Sequence, residues 1–144
     1  MKIKIAKSEI VHFVGIGGIG MSGLAIIMSQ LGFKIQGSDQ SYNKNFERLR
    51  KEKIKLYVGH YRKNISNATI LIISSAIKNN NVEYQEAKKK KIPIYKRGEA
   101  LANIVSLMKN IVVAGSHGKT TTTSLIASIF SAANLDPTVI NGGI

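Results

Sequence analysis

The chain has no cysteine, no apolar run long enough to cross a membrane, and too few acids to balance its bases. Without cysteine it forms no disulfide and offers no thiolate as nucleophile or metal ligand. No stretch approaches the roughly 18 apolar residues of a membrane helix. The opening Met1-Lys-Ile-Lys-Ile-Ala-Lys-Ser-Glu9 lacks the apolar centre of a signal peptide. These absences predict a soluble, cytoplasmic protein. Only eight Asp and Glu oppose 21 Lys and Arg, which leaves a net charge of +13. Such an excess attracts phosphate backbones and raises a nucleic-acid-binding reading. Arginine is scarce as well: only Arg48, Arg50, Arg62 and Arg97 carry the planar fork suited to phosphates and guanines. The Lys88 to Lys91 run therefore reads as the solvated end of a helix, and no specific nucleic-acid partner is expected.

What is present is a 44% hydrophobic composition, enough for a core, and two glycine-rich loops. The first is Gly15-Ile-Gly-Gly-Ile-Gly20 and the second Gly115-Ser-His-Gly-Lys-Thr120, with their first glycines 100 residues apart. Each follows an apolar run (Ile10 to Val14; Ile111 to Ala114) and precedes a helical pattern, the context in which such loops bind phosphates. Between them, strand patterns at Phe33 to Ser38, Lys55 to Val58, Thr69 to Ser74 and Ile92 to Tyr95 alternate with helical ones. The helices are expected near Met21 to Leu31, Asn45 to Glu52, Val82 to Lys90 and Gly98 to Met108. Alternation of this kind predicts an α/β fold, a Rossmann-like parallel sheet flanked by helices. It is followed by the opening strand-loop-helix of a P-loop ATPase domain, with a helix from Lys119 to Ala133 and a strand at Pro137 to Ile140. The expected boundary lies between 1–108 and 109–144. The 36 residues of the second part fall below the roughly 40 at which a domain usually folds unaided, so it reads as the start of a truncated domain.

In the first loop, Gly15 can make the tight turn, Gly17 can admit a pyrophosphate to the backbone, and Gly20 can let the helix pack closely on the strand. Asp39 stands near the position of a ribose-binding acid. On spacing alone the loop suits a nicotinamide-dependent oxidoreductase. The second loop ends in the Gly-Lys-Thr of a P-loop, in which Lys119 reaches the terminal phosphates and the Thr120 hydroxyl ligates Mg²⁺. Val113, however, stands where the general pattern has its first glycine. His117 can contact phosphate or shape its turn, His60 can contact ligand or form a turn, and His12 reads as a packed core residue.

Taken together, Val11 to Ala25, Gly37-Ser-Asp39, Gly59-His60, Ser74-Ser-Ala-Ile77, Arg97 with Leu101-Ala102, and Gly115 to Thr123 resemble the Mur ligases. The resemblance runs along essentially the whole chain, and it is strongest to the branch that joins L-alanine to UDP-N-acetylmuramate. It implies that the first loop binds the UDP part of that substrate through Gly15, Gly17, Gly18, Gly20, Met21 and Ser22. Asp39, Ser74, Ser75, Ala76 and Ile77 would lie on the uridine side. It implies that ATP is held by Gly115, Ser116, His117, Gly118, Lys119, Thr120 and Thr121, with Lys119 as the catalytic residue and Mg²⁺ on Thr120. The family's loop, Gly-Thr-x-Gly-Lys-Thr, does not need glycine at 113, and Ser116 keeps the hydroxyl of its usual Thr. The implied reaction is activation of the lactyl carboxylate as an acyl phosphate and attack by the L-alanine amine. Part of the ATPase domain and a C-terminal domain are expected to be missing, so the chain is expected to be inactive alone.

Overall fold

Five short strands, from the wholly apolar Ile70–Ile73 to the largely polar Lys34–Asp39, pair in parallel throughout. In the computed structural model, which describes residues 4–141, these are β1 (Ile10–Val14), β2 (Lys34–Asp39), β3 (Lys55–Val58), β4 (Ile70–Ile73) and β5 (Ile94–Lys96). Their order is β3-β2-β1-β4-β5, that of the first five strands of a Rossmann sheet. Parallel neighbours cannot be joined by hairpins, so each connection crosses over the sheet. Helices α1 (Ile19–Gln30), α2 (Lys44–Lys51) and α3 (Val82–Lys89) lie on three crossovers, and α4 (Arg97–Ser106) follows β5. A 3₁₀ turn at Arg62–Ile65 lies on the remaining one. Periodicity gives no sign of this turn, because four residues are too few to show a repeat.

Alternation along β1 sends successive side chains to opposite faces of the sheet. Val11 and Phe13 join the larger core with Met28 of α1, Leu49 of α2 and Ile104 of α4, all essentially inaccessible. Gly37 on β2 is what lets the loop after β1 fold down on this face. A Cβ there would stand 2.5 Å from Ile16 Cδ1 and 2.7 Å from the Phe13 carbonyl oxygen.

The opposite face is divided. Over β4 it is apolar, with Leu71 packed beside Val14, Ile65, Ala68 and Ala87. Over β1 and β2 it is polar, and His12, Gln36, Ser38, Asn64 and Glu83 are all buried. The Glu83 carboxylate is the centre of this half. Its Oε2 accepts from Ser38 Oγ at 2.6 Å and His12 Nε2 at 3.1 Å, with His60 Nδ1 at 3.5 Å. Its Oε1 accepts from Asn64 Nδ2 at 2.6 Å and the Tyr61 amide at 3.2 Å. The Gln36 amide nitrogen points at Asn64 O, Asn67 Oδ1 and His12 Nδ1, at 3.0, 3.2 and 3.1 Å. That pattern makes His12 Nδ1 an acceptor and assigns its proton to Nε2, which faces Glu83. His12 is thus a core residue, as expected, and a hydrogen-bonded one.

Burial by itself would raise the Glu83 pKa. The bonds from His12, His60 and Ser38 outweigh it and hold the carboxyl well below the usual carboxylate range.

The chain divides into two compact units, Met1–Met108 and Lys109–Ile144. The second contains α5 (Lys119–Ala132). The strands expected at Ile111 to Ala114 and Pro137 to Ile140 are not formed. A strand exists by pairing, and among the described residues of this unit there is no second strand to pair with. None of its described residues is buried.

Two outcomes follow from this packing. Gly37→Ala should lower the unfolding free energy by about 2 kcal/mol, the usual penalty for overfilling a core, because the Phe13 carbonyl cannot step aside. Urea denaturation measures it, and an unchanged midpoint would refute the close contact. Glu83→Gln should cost roughly 3 kcal/mol near neutrality, since it leaves buried donors facing an amide. A depressed carboxylate stabilises the fold above its ordinary pKa of 4.5 and loses that contribution as pH falls toward the folded value. The gap between wild type and Glu83→Gln should therefore be full above about pH 5 and shrink towards pH 3. A gap that stays constant over that range would contradict the ionised state.

Candidate functional site

The first loop is built from the ends of two strands. Gly15 adopts φ +84°, a left-handed turn that glycine accepts without strain. The chain then leans on β2, where the Gly15 and Ile16 amides both donate to the Ser38 carbonyl, at 2.8 and 2.9 Å. The Gly17 amide donates to Asp39 Oδ2 at 2.8 Å. The Gly17 carbonyl accepts from Asn45 Nδ2 at 2.7 Å and Asn43 Nδ2 at 3.3 Å. Gly18 precedes α1 without a side-chain cap, and the first intrahelical bond runs from the Ser22 amide to Gly18 O at 2.8 Å. Helix geometry leaves the amides of Ile19, Gly20 and Met21 without intrahelical acceptors, at the positive end of the helix dipole.

The surroundings place a guanidinium and a serine hydroxyl beside this helix start. The exposed Arg97 guanidinium occupies the space that a side chain at Gly20 would need. The turn after β4 lies on the other side, with Ser74 Oγ 3.1 Å from where a Gly15 Cβ would stand. Ser74 Oγ also accepts from the Ala76 amide at 3.3 Å, and Ile77 reaches back towards Gly15. The crevice is at the C-terminal ends of β1 and β4, where the strand order reverses and open α/β sheets bind ligands.

The structure therefore gathers Gly15 to Gly20, Asp39 and Ser74 to Ile77, with changes to individual roles. Gly20 leaves room for the Arg97 guanidinium. The Met21 and Ser22 side chains are buried, the latter donating to Ile19 O at 3.1 Å, so at Met21 only the backbone amide faces the crevice. The other Asp39 oxygen accepts from the Gln40 amide at 2.8 Å, so the carboxylate braces the loop. His60 Nδ1 lies 3.0 Å from Ser38 Oγ. Residues absent from the sequence reading of the site are Arg97, Asn43, Asn45 and Glu83. Asn43 carried a signal, since Asn ahead of a charged helix is an N-cap pattern, and its Oδ1 accepts from the Asn45 amide at 3.0 Å.

The second loop is closed by local bonds. Gly118 takes φ +74° immediately before α5. Lys119 Nζ donates back to Gly115 O at 2.6 Å and Ser116 O at 3.4 Å. The first helical bond is Thr122 amide to Gly118 O at 2.9 Å, which leaves the amides of Lys119, Thr120 and Thr121 without intrahelical acceptors. Ser116, His117, Thr120 and Thr121 are exposed around them.

Comparison with known proteins covers the same residues. UDP-N-acetylmuramate–L-alanine ligase of Pelagibacter ubique is 72% identical over 144 residues, all of this chain and 31% of the relative. The protein of the same name from Bartonella bacilliformis is 53% identical over 144 residues, again all of this chain and 30% of the relative. The chain thus spans about a third of the length of the curated relatives it matches. The crystal structure of UDP-N-acetylmuramate-alanine ligase from Thermotoga maritima superposes with a TM-score of 0.83 at 33% identity, over 94% of this chain and 32% of that one. None of these matches supports an oxidoreductase or a nucleic-acid-binding module. The model described as Mur ligase family, catalytic domain, matches residues 10–109. That span takes in the parallel sheet, the glycine loop and Arg97 together, and by it the chain belongs to the Mur ligase family.

Proposed function

We propose that this chain is the N-terminal part of an ATP-dependent ligase that joins L-alanine to UDP-N-acetylmuramate in peptidoglycan precursor synthesis. The observation that carries the reading is 72% identity along all 144 residues to a relative bearing that name. The crevice supports it chemically. A diphosphate placed at the start of α1 would meet the free amides of Ile19, Gly20 and Met21 and the Arg97 guanidinium, while the Ser74 to Ile77 turn flanks the nucleoside. Asp39, Asn43 and Asn45 hold the Gly17 peptide so that the amides beyond it keep their direction.

The second loop fits ATP and Mg²⁺ by its donor set. Lys119 Nζ sits against the loop's own carbonyls, and the exposed amides after Gly118 and the Thr120 hydroxyl suit phosphate oxygens and a hard cation. Lys119 would stabilise charge on the phosphoryl oxygens, and Thr120 would contribute one metal ligand. Bound ATP supplies the phosphoryl group that activates the lactyl carboxylate for attack by the L-alanine amine. Among the described residues no helix is long and apolar enough to cross a membrane. We assign the protein to the cytoplasm, where its nucleotide substrates are made.

Titration calorimetry of the chain with UDP-N-acetylmuramate tests the first site. Saturable binding is expected, weakened about tenfold to a hundredfold by Arg97→Ala through loss of a charge-assisted contact. NADH should give no heat. Binding of NADH without a response to the UDP-sugar would overturn the reading.

A further inference from the structure

Ser38 is bonded in two directions at once. Its carbonyl receives the Gly15 and Ile16 amides, at 2.8 and 2.9 Å. Its hydroxyl donates to Glu83 Oε2 at 2.6 Å, beneath the sheet. The same carboxylate receives His12 from β1, Asn64 from the 3₁₀ turn and the Tyr61 amide after β3. Asn64 Nδ2 also reaches Gly59 O at 3.0 Å, and the Gly59 amide donates to Asp39 O at 2.7 Å. Asp39 in turn holds Gly17. Two routes therefore run from one buried carboxylate to the loop, one through Ser38 and one through Asn64, Gly59 and Asp39.

The position of this group argues for more than filling. The neighbouring half of the same sheet face carries an apolar cluster of Val14, Ile65, Ala68, Leu71 and Ala87, and buried ion pairs are commonly no more stabilising than such packing. The polar half underlies the strand ends that carry the glycine loop.

We propose that Glu83 is a positioning residue for the nucleotide loop, acting through Ser38 to fix the Gly15 and Ile16 amides and so the direction of the free amides at the start of α1. The inference rests on the anion-binding reading for its purpose, and its structural claim can be tested without ligand.

Amide hydrogen exchange of the ligand-free 144-residue chain reads it directly. Ser38→Ala removes the hydroxyl link and leaves both carbonyl bonds available, so it keeps the test open where Glu83→Gln fails to fold. In either folded variant, exchange at Gly15 and Ile16 is expected to rise about tenfold relative to Leu71 and Ile72 of β4, the scale of a lost bond to a charged group. UDP affinity should weaken in parallel. A uniform rise across the sheet, or no rise at Gly15 and Ile16 in Ser38→Ala, would overturn the proposal. A local rise in a chain that binds no UDP would uphold the positioning and reject the substrate reading.

Discussion

Seven consecutive backbone amides, Gly15 to Met21, decide what the first loop can do. Four are satisfied inside the protein: Gly15 and Ile16 by Ser38 O, Gly17 by Asp39, and Gly18 by Gly15 O at 3.3 Å. The remaining three open α1, where no helical acceptor exists. Because buried amides must be paired somewhere, the internal pairing of the first four both closes the turn and concentrates the unpaired donors at the helix end. Glycine at 17 and 20 leaves room for this arrangement. A side chain at Gly17 would collide with Asn43 and Asp39, and one at Gly20 with Arg97.

That arrangement needs a rigid base, and the base is polar. Desolvating Glu83 is costly, and the convergence of Ser38, His12, His60, Asn64 and the Tyr61 amide makes the buried anion tolerable. Directional bonds fix positions to tenths of an ångström, which apolar contacts do less strictly. The division of one sheet face into an apolar half over β4 and a polar half over β1 and β2 matches a division of tasks. One half excludes water, and the other sets the loop.

Much of this was legible in the sequence and some of it was not. The five strands and the helices between them announce themselves through runs such as Ile70–Ile73 and through the loops that punctuate them. The gathering of the glycine loop, Asp39 and Ser74 to Ile77 follows once the strands are ordered in parallel. Glu83 was hidden because it lies in a charged segment, Val-Glu-Tyr-Gln-Glu-Ala-Lys-Lys, whose composition suggests an exposed helix. Its partners are 19 to 71 positions away. Arg97 stood among the residues that resemble the family, but its place beside the loop did not show: a guanidinium at a helix start has no spacing rule that aims it at a glycine 77 residues earlier.

The second unit separates local from non-local order. Its loop is organised by bonds between Lys119 and carbonyls three and four residues away, and α5 by bonds of the same range, so both form from the sequence at hand. The apolar run Ile111 to Ala114 needs a neighbouring strand and does not become one. The exposed Val112, Leu125 and Ile129 likewise have nothing to pack against among the described residues of this unit. The conformation of the loop is therefore a property of a few residues of local chain, whereas a strand beside it is a property of distant ones.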